Sequence, residues 1–564
     1  MENLKSAGQR KTLGQALIEA KLLTAEQLEH AIGLGRKNRR KLGQILAEEG
    51  LVAPEELARV ESIRLNVPFI DLRRHVVQPR ALRLIPEKTA REHTLLPLDV
   101  VGDALLVVMA DPEDVRTIED LQTQAGMRVE LALGVPSQIQ EAINLNYRSG
   151  GQIERTAAQF VPLVAKEEAP VTSALLAQTP AVQTLDLIIA QAVRDRASDI
   201  HIEPQEDRLR IRYRIDGILR DVYSLPLGIH AALVSRVKIL AEMNITEQRR
   251  PQDGQLSLQV AERAIDIRVA TVGTAHGERV ALRILDKSLA LFTLPELGFL
   301  PETLKKYEEM LKSSFGMILV SGPTGSGKTT TLYASIGNID RNERNIMTIE
   351  DPIEYQFLDI NQIRVNPKAG LTFAEGLRTV LRHDPDVVLV GEIRDSDTAR
   401  TAVQAALTGH LVLSSIHAND AAGVLFRLMD LGIETYLVAS TLVGVAAQRM
   451  IRRICPHCRV PSQPSHEESM AYYLEMPDER ATFYRGAGCN FCGNTGYLGR
   501  IGIFELLVMS DEIQRLLVAG ASAAEIRAQA LREGMVTLRR DGMLKVREGI
   551  TTSQEVLRNV FAIG

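Results

Sequence analysis

The sequence contains no long uncharged apolar run. Its longest such stretch, near Leu437 to Ala447, is well short of the ~20 residues that cross a bilayer, and Met1-Glu2-Asn3-Leu4-Lys5 has no apolar signal core. A chain made and kept in the cytoplasm is expected. An excess of positive charge is also missing: 66 Lys and Arg stand against 71 Asp and Glu, a net charge of −5. That balance argues against bulk nucleic acid as the main partner and leaves room only for local basic surfaces. Cysteine is scarce, with four in 564 residues, and none is left over once they are paired. The length excludes a single core, because domains run to about 100–200 residues and about three or four are therefore expected.

What is present is dominated by Gly322-Pro323-Thr324-Gly325-Ser326-Gly327-Lys328-Thr329-Thr330, with apolar Met317-Ile318-Leu319-Val320 before it and helix-like Thr331 to Ile336 after it. The pattern G-x-x-x-x-G-K-[ST] between strand and helix lets successive backbone N–H groups curl around phosphate oxygens. The helix N-terminus adds a partial positive charge. A nucleoside triphosphate is the expected ligand, with Lys328 on the β- and γ-phosphates and the Thr329 hydroxyl on Mg²⁺.

Two acidic strand ends follow. Ile346-Met347-Thr348-Ile349-Glu350-Asp351-Pro352-Ile353-Glu354 closes an apolar strand with carboxylates around a proline. Glu350 is expected to be the general base that orients and partly deprotonates the attacking water; the plainer alternative is an acidic turn set by Pro352. In Asp386-Val387-Val388-Leu389-Val390-Gly391-Glu392 the usual aspartate of a Walker B strand is replaced by Gly391. Glu392 is therefore assigned to the Mg²⁺ site, through a water rather than directly. A third strand, in Thr408 to Asp420, carries His410 and His417 at its two ends. Either imidazole is a candidate sensor of the γ-phosphate, His417 ahead of His410.

The cysteines fall as Cys455-Pro456-His457-Cys458 and Cys489-Asn490-Phe491-Cys492. Two C-x-x-C knuckles fit a tetrahedral Zn²⁺ with four thiolates, and a reducing compartment argues against two disulfides. The long stretch between the pairs is expected to fold as a small helical tongue, and the zinc to be structural.

Near the N-terminus the chain repeats itself, Leu13-Gly14-Gln15-Ala16-Leu17-Ile18-Glu19 matching Leu42-Gly43-Gln44-Ile45-Leu46-Ala47-Glu48, which implies two small helical units. A mixed α/β segment follows from Val67 to about Tyr147. Ser149 to Pro180 has no steady period and reads as a linker. From Ala181 a helix and strands at Arg208 to Ile215 and Ala264 to Val272 form an arginine-rich second α/β domain.

In that order the phosphate loop, the Thr348 to Glu354 acidic box, Gly391-Glu392-Ile393-Arg394-Asp395, the histidine box and Ala447-Gln448-Arg449-Met450-Ile451-Arg452-Arg453-Ile454-Cys455 resemble the secretion ATPases that assemble type IV pili and type II secretion pseudopili. The resemblance covers about residues 180–564. Ser198 to Pro204, Arg249 to Gly254 and His276-Gly277-Glu278-Arg279 are similar to that family's second N-terminal domain. It implies an α/β multidomain chain in four parts. Residues 1–148 are an N-terminal helical repeat module plus a small α/β domain, similar to the family's cyclic-di-GMP-binding module, and 149–180 are the linker. Residues 181–290 are a PAS-like α/β second domain, and 291–564 a RecA-like P-loop ATPase domain with a zinc-binding insert at 455–492.

The resemblance further implies a homohexamer that hydrolyses ATP to power pseudopilus or pilus assembly, peripheral to the inner membrane through a platform protein and cytoplasmic assembly proteins. Arginines of the second domain are implied at a neighbour's active site, Arg268 and Arg283 first and Arg249, Arg250 and Arg279 behind them, because a guanidinium binds phosphate oxygens bidentately. The N-terminal repeat departs from the family's ligand pattern. Its initial arginine is Thr12 in one copy and Lys41 in the other, its closing glutamine is Gly35 and Arg64, and Lys21 replaces a glycine. Cyclic-di-GMP binding is therefore expected to be weak or absent. Two rival classes stay open, a nucleic-acid translocase and a nucleotide-dependent scaffold with little turnover.

Overall fold

The computed structural model describes residues 12–38, 42–72, 75, 77–82, 84–147, 153, 180–260, 263–286, 292–489 and 491–560. Most of the expected linker and Lys41 of the second repeat lie outside them. Two compact units result. One is Met1–Arg155 with Cys455–Cys458 and Ala487–Gly496, and the other is Thr156–Ile454, Arg459–Gly486 and Tyr497–Gly564. The second α/β domain and the part that carries the phosphate loop fall in one unit, and the cysteine knuckles in the other.

In the first unit the two repeats are two helix pairs, α1 (Leu13–Glu19) with α2 (Ala25–Asn38) and α3 (Leu42–Glu48) with α4 (Pro54–Leu65). Their repeated apolar positions, Leu17, Leu23, Ile45, Leu46 and Val52, share one core. The repeated Leu-Gly step has a packing cause: a Cβ on Gly14 would lie 2.7 Å from Leu28 Cδ1, and one on Gly43 3.2 Å from Leu57 Cδ2. Strands β1 (Leu95–Val101), β2 (Ala104–Met109) and β3 (Arg128–Leu133) then form a three-stranded sheet. Helices α5 (Val115–Ala125) and α6 (Pro136–Asn146) accompany it, and α5 makes the crossover that parallel β2 and β3 require.

The second unit opens with α7 (Pro180–Arg194) and a six-stranded antiparallel sheet ordered β6-β5-β4-β9-β8-β7. Its strands are β4 (Ala197–Pro204), β5 (Arg208–Ile215), β6 (Ile218–Pro226), β7 (Gln252–Val260), β8 (Arg263–Thr274) and β9 (Gly277–Asp286), with α8 (His230–Leu240) between β6 and β7. Strand β5 shows the two-residue period plainly, burying Leu209, Ile211 and Tyr213 while arginines alternate on the other face. Those arginines face carboxylates across the strands: Arg210 lies 2.7 Å from Asp221, Arg212 2.7 Å from Glu203 and Arg214 3.5 Å from Asp199.

The part that carries the phosphate loop is built on a seven-stranded sheet ordered β12-β11-β13-β14-β10-β15-β18. Here β10 is Gly316–Ser321, β11 Ile346–Glu350, β12 Asn361–Arg364, β13 Val387–Val390, β14 Leu411–Ile416, β15 Leu442–Ile454 and β18 Tyr497–Val508. The first six run parallel and β18 is antiparallel to β15. Every residue of β10, β11, β13 and β14 is buried, as expected for a sheet covered on both faces. Two apolar clusters flank it, one around Leu377, Ala402 and Leu425 and one around Tyr307, Leu332 and Phe504. Helices α9 (Pro301–Leu311), α10 (Lys328–Gly337), α11 (Phe373–Val380), α12 (Ser396–Leu407) and α13 (Ala421–Asp430) contribute to them. Beyond β15 come α14 (His466–Glu475), which is the expected tongue helix, and the paired short strands β16 (Arg459–Pro461) and β17 (Tyr484–Gly486). Helices α15 (Asp511–Val518), α16 (Ala523–Arg532), α17 (Leu538–Arg547) and α18 (Ser553–Val560) close the chain.

Candidate active site and metal centre

In a parallel sheet the ligand crevice lies beyond the carboxyl ends of the strands, and here the ends of β10, β13 and β14 carry the phosphate loop, Glu392 and His417. Helix α10 begins on Gly327, which has φ of 87° and provides no side-chain cap. Around the same sheet α11, α12 and α13 are capped by Thr372, Asp395 and Asp420. An uncapped helix start with free amides is an anion site. Ser326 Oγ adds a second sign, since it is 3% exposed and has no hydrogen-bond partner among the described residues. A phosphate oxygen would supply one, so these residues fit a nucleotide. Lys328 donates to the carbonyl oxygens of Gly322 at 2.9 Å and Pro323 at 3.2 Å. Burial pulls its ammonium below the ordinary lysine value, and the Glu392 carboxylate opposes that shift. Pro323, Thr324, Gly325, Thr329 and Thr330 are exposed along the mouth of the loop.

The two glutamates are placed differently. The expected general base, Glu350, is 3% exposed and both its oxygens are taken. Thr348 Oγ1 donates to Oε1 at 2.6 Å and Gln362 Nε2 at 3.0 Å, while the Tyr333 hydroxyl donates to Oε2. Both carboxylate oxygens of the expected general base are thus occupied by neighbours on α10, β11 and β12. Glu392 is 16% exposed, with Arg394 in an ion pair and His417 Nε2 at 3.8 Å. Its turn is fixed to β14, where Ser415 Oγ donates to Gly391 O at 2.8 Å and Ile393 N donates to Ser415 O at 2.9 Å. The chemistry of this set, a threonine hydroxyl and an open carboxylate beside a phosphate loop, fits Mg²⁺ as oxygen ligands do.

His417 and His410 part company as well. His417 follows β14 into the crevice, where burial and then the Lys328 ammonium hold its imidazole below the ordinary histidine value. His410 precedes β14 at the opposite end and its Nδ1 lies 3.0 Å from Ala405 O, so it does not reach the loop. Of the arginines, Arg268 reaches the acidic box of its own chain, with Nη2 2.9 Å from Glu354 Oε2, whereas Arg283 Nε donates to Asp199 at 3.1 Å. Arg279 lies 2.9 Å from Glu203, and Arg249 and Arg250 are exposed. Sequence reasoning assigned no role to Gln448, yet its carboxamide donates to Ser326 O at 2.7 Å. A residue pointing from the neighbouring strand to the loop has no local sequence signature.

In the other unit the four cysteine sulfurs lie within 4.8 Å of one another. The gaps are 3.7 Å from Cys455 to Cys489, 3.9 Å from Cys458 to Cys492 and 3.7 Å from Cys489 to Cys492. Those are the edges of a tetrahedron with arms of ~2.3 Å, the zinc–thiolate length, and far beyond the ~2.05 Å of a disulfide. The amides of Cys489 and Gly496 donate to Cys492 Sγ at 3.3 and 3.2 Å. Hydrogen bonds from Cys455 and Cys489 hold the Cys492 thiol well below its usual range. In the N-terminal module Thr12 caps its own helix in a box with Gln15, and Arg64 lies between Glu61 at 3.4 Å and Glu113 at 3.0 Å. Thr12 and Arg64, two of the five positions of the expected ligand pattern, are thus engaged internally. Among the described residues no helix is long and apolar enough to cross a membrane.

Residues 175–558 match the profile of the Type II/IV secretion system protein family and residues 65–153 that of the MshEN domain; the MshEN match begins after the two repeats. A type IV pilus assembly ATPase PilB of Myxococcus xanthus is 38% identical over 97% of this chain and 98% of its own. A type II secretion system protein E of Xanthomonas campestris is 39% identical over 96% of each. Among solved structures the DotB ATPase of Yersinia pseudotuberculosis shares the fold, with a TM-score of 0.51 at 19% identity over 67% of this chain and 93% of its own. A profile match across more than half the chain and relatives of nearly equal length show the same thing: the chain belongs to the Type II/IV secretion system protein family.

Proposed function

We propose that this chain is the ATP-hydrolysing motor of a pilus-assembly or type II secretion machine, working as a homohexamer against an inner-membrane platform. The observation that carries the reading is the convergence, at the ends of β10, β13 and β14, of an uncapped helix start, Lys328, the unpartnered Ser326 hydroxyl, Glu392 and His417. Backbone amides of Gly327 to Thr329 hold the phosphates, and Lys328 exchanges its two carbonyl partners for β- and γ-oxygens. Thr329 and, through water, Glu392 would hold Mg²⁺, which when bound neutralises charge on the phosphate oxygens. Glu392 takes the role first assigned to Glu350 and orients the attacking water, while His417 reads the γ-phosphate from beside it. Arg268 and Arg283 exchange Glu354 and Asp199 for phosphate oxygens of a neighbouring copy's nucleotide. Zn²⁺ on Cys455, Cys458, Cys489 and Cys492 would fix the insert and take no part in hydrolysis. The MshEN match over residues 65–153 fits a cyclic-di-GMP site, which the departures at Thr12, Lys21, Gly35, Lys41 and Arg64 would weaken.

Phosphate release by the full chain tests the reading. Turnover is expected for the wild type and none for Lys328→Ala; equal rates in both would overturn it. Steep, salt-sensitive stimulation by DNA would favour a nucleic-acid translocase instead. Metal analysis of the purified chain should return about one zinc per chain, lost when Cys489→Ser removes a ligand.

A further inference from the structure

Strand β15 lies beside β10 with Val320 opposite Ala446 and Ser321 opposite Ala447. The next two residues, Gln448 and Arg449, therefore stand level with the phosphate loop, and alternation along a strand sends their side chains to opposite faces. Gln448 is 2% exposed. Its Nε2 donates to Ser326 O and its Oε1 accepts from Thr331 Oγ1, both at 2.7 Å, so one carboxamide bridges the loop and the first turn of α10. The fit is close: a Cβ on Gly327 would lie 2.8 Å from Gln448 Nε2, and one on Gly322 2.5 Å from Gln448 O.

Arg449 works from the other face. Its Nη1 donates to Gln448 O at 3.1 Å and its Nη2 to Asn419 O at 2.6 Å. Among the described residues no carboxylate lies within ion-pair distance of it, so this half-buried guanidinium is spent on two backbone carbonyls. Asn419 belongs to the loop after β14 that carries His417, and Ser321 fastens the same loop at Ala418 in both directions, at 3.1 and 3.2 Å. The phosphate loop and the histidine loop are thus both tied to one dipeptide.

We propose that Gln448 and Arg449 are positioning residues of ATP hydrolysis, Gln448 fixing the shape of the phosphate loop and Arg449 fixing the height of the histidine loop above it. The proposal rests on the ATPase reading above. It assigns the two residues to different steps: Gln448 acts on nucleotide binding, whereas Arg449 acts on the placement of His417 against Glu392 after binding.

The full chain carrying Gln448→Leu, Arg449→Ala or Arg449→Lys is compared with wild type by titration of a fluorescent ATP analogue and by phosphate release at saturating ATP, after thermal unfolding confirms a folded protein. Gln448→Leu is expected to weaken binding at least tenfold while kcat stays within threefold. Arg449→Ala is expected to lower kcat at least tenfold with binding within threefold, and Arg449→Lys, which keeps one donor for Asn419, to recover a substantial part of it. If Gln448→Leu does not fold, Thr331→Val frees the carboxamide from α10 and should show the same split with a smaller shift. Equal losses of binding and kcat in every variant, or wild-type values in all, would overturn the proposal. A wild-type chain that does not hydrolyse ATP would instead overturn the reading on which it rests.

Discussion

Glu350 and Glu392 close two neighbouring parallel strands, β11 and β13, only one register step apart. Ile349 pairs with Val390, so Glu350 stands beside Gly391 and Glu392 falls one residue further out. That single step separates a carboxylate closed in by Thr348, Gln362 and Tyr333 from one that faces Lys328 and His417. The chemistry of a side chain is set here by where its strand stops.

The comparison breaks most clearly at Glu392. Glu392→Gln should slow hydrolysis by about 10²–10⁴-fold while leaving nucleotide binding within a few-fold, measured by phosphate release and analogue titration. Glu350→Gln places an amide among three donors that all need an acceptor. It should cost about 1–3 kcal/mol of stability, which lowers the unfolding midpoint by several degrees, and leave turnover of the folded protein within about tenfold. If Glu350→Gln instead abolished hydrolysis at an unchanged midpoint, the two roles would be reversed. The smallest stability effect belongs to Arg268→Ala. Its partly exposed pair with Glu354 is worth about 0–1 kcal/mol, so its signature should be a fall in turnover with no measurable shift in the midpoint.

The phosphate loop, the cysteine pairs and the repeats were legible because each is written in consecutive residues. The strands were legible for a related reason: Ile346 to Glu350 and Val387 to Val390 are apolar runs ending in an acid, the pattern of a covered parallel sheet. What a carboxylate touches was not. The occupants of Glu350 come from α10 and β12, and β12 (Asn361–Arg364) is a short polar strand with no hydrophobic period. Nothing in the sequence marks Gln448, because its contact with the phosphate loop depends on β15 lying beside β10, and neither strand announces its neighbour. The two histidines were symmetric in sequence, and only strand direction separates the one in the crevice from the one at the far end.

The arginine-dense sheet of the second domain has a consequence of its own. Three carboxylates, Asp221, Glu203 and Asp199, are shared among five guanidinium groups, those of Arg210, Arg212, Arg279, Arg214 and Arg283, so this patch keeps an excess of positive charge. Salt screens that excess over about 8–10 Å. A polyanion beyond that distance would feel little attraction from this sheet. Closer in, each guanidinium already pairs with a carboxylate, and an incoming anion would have to compete with it at contact.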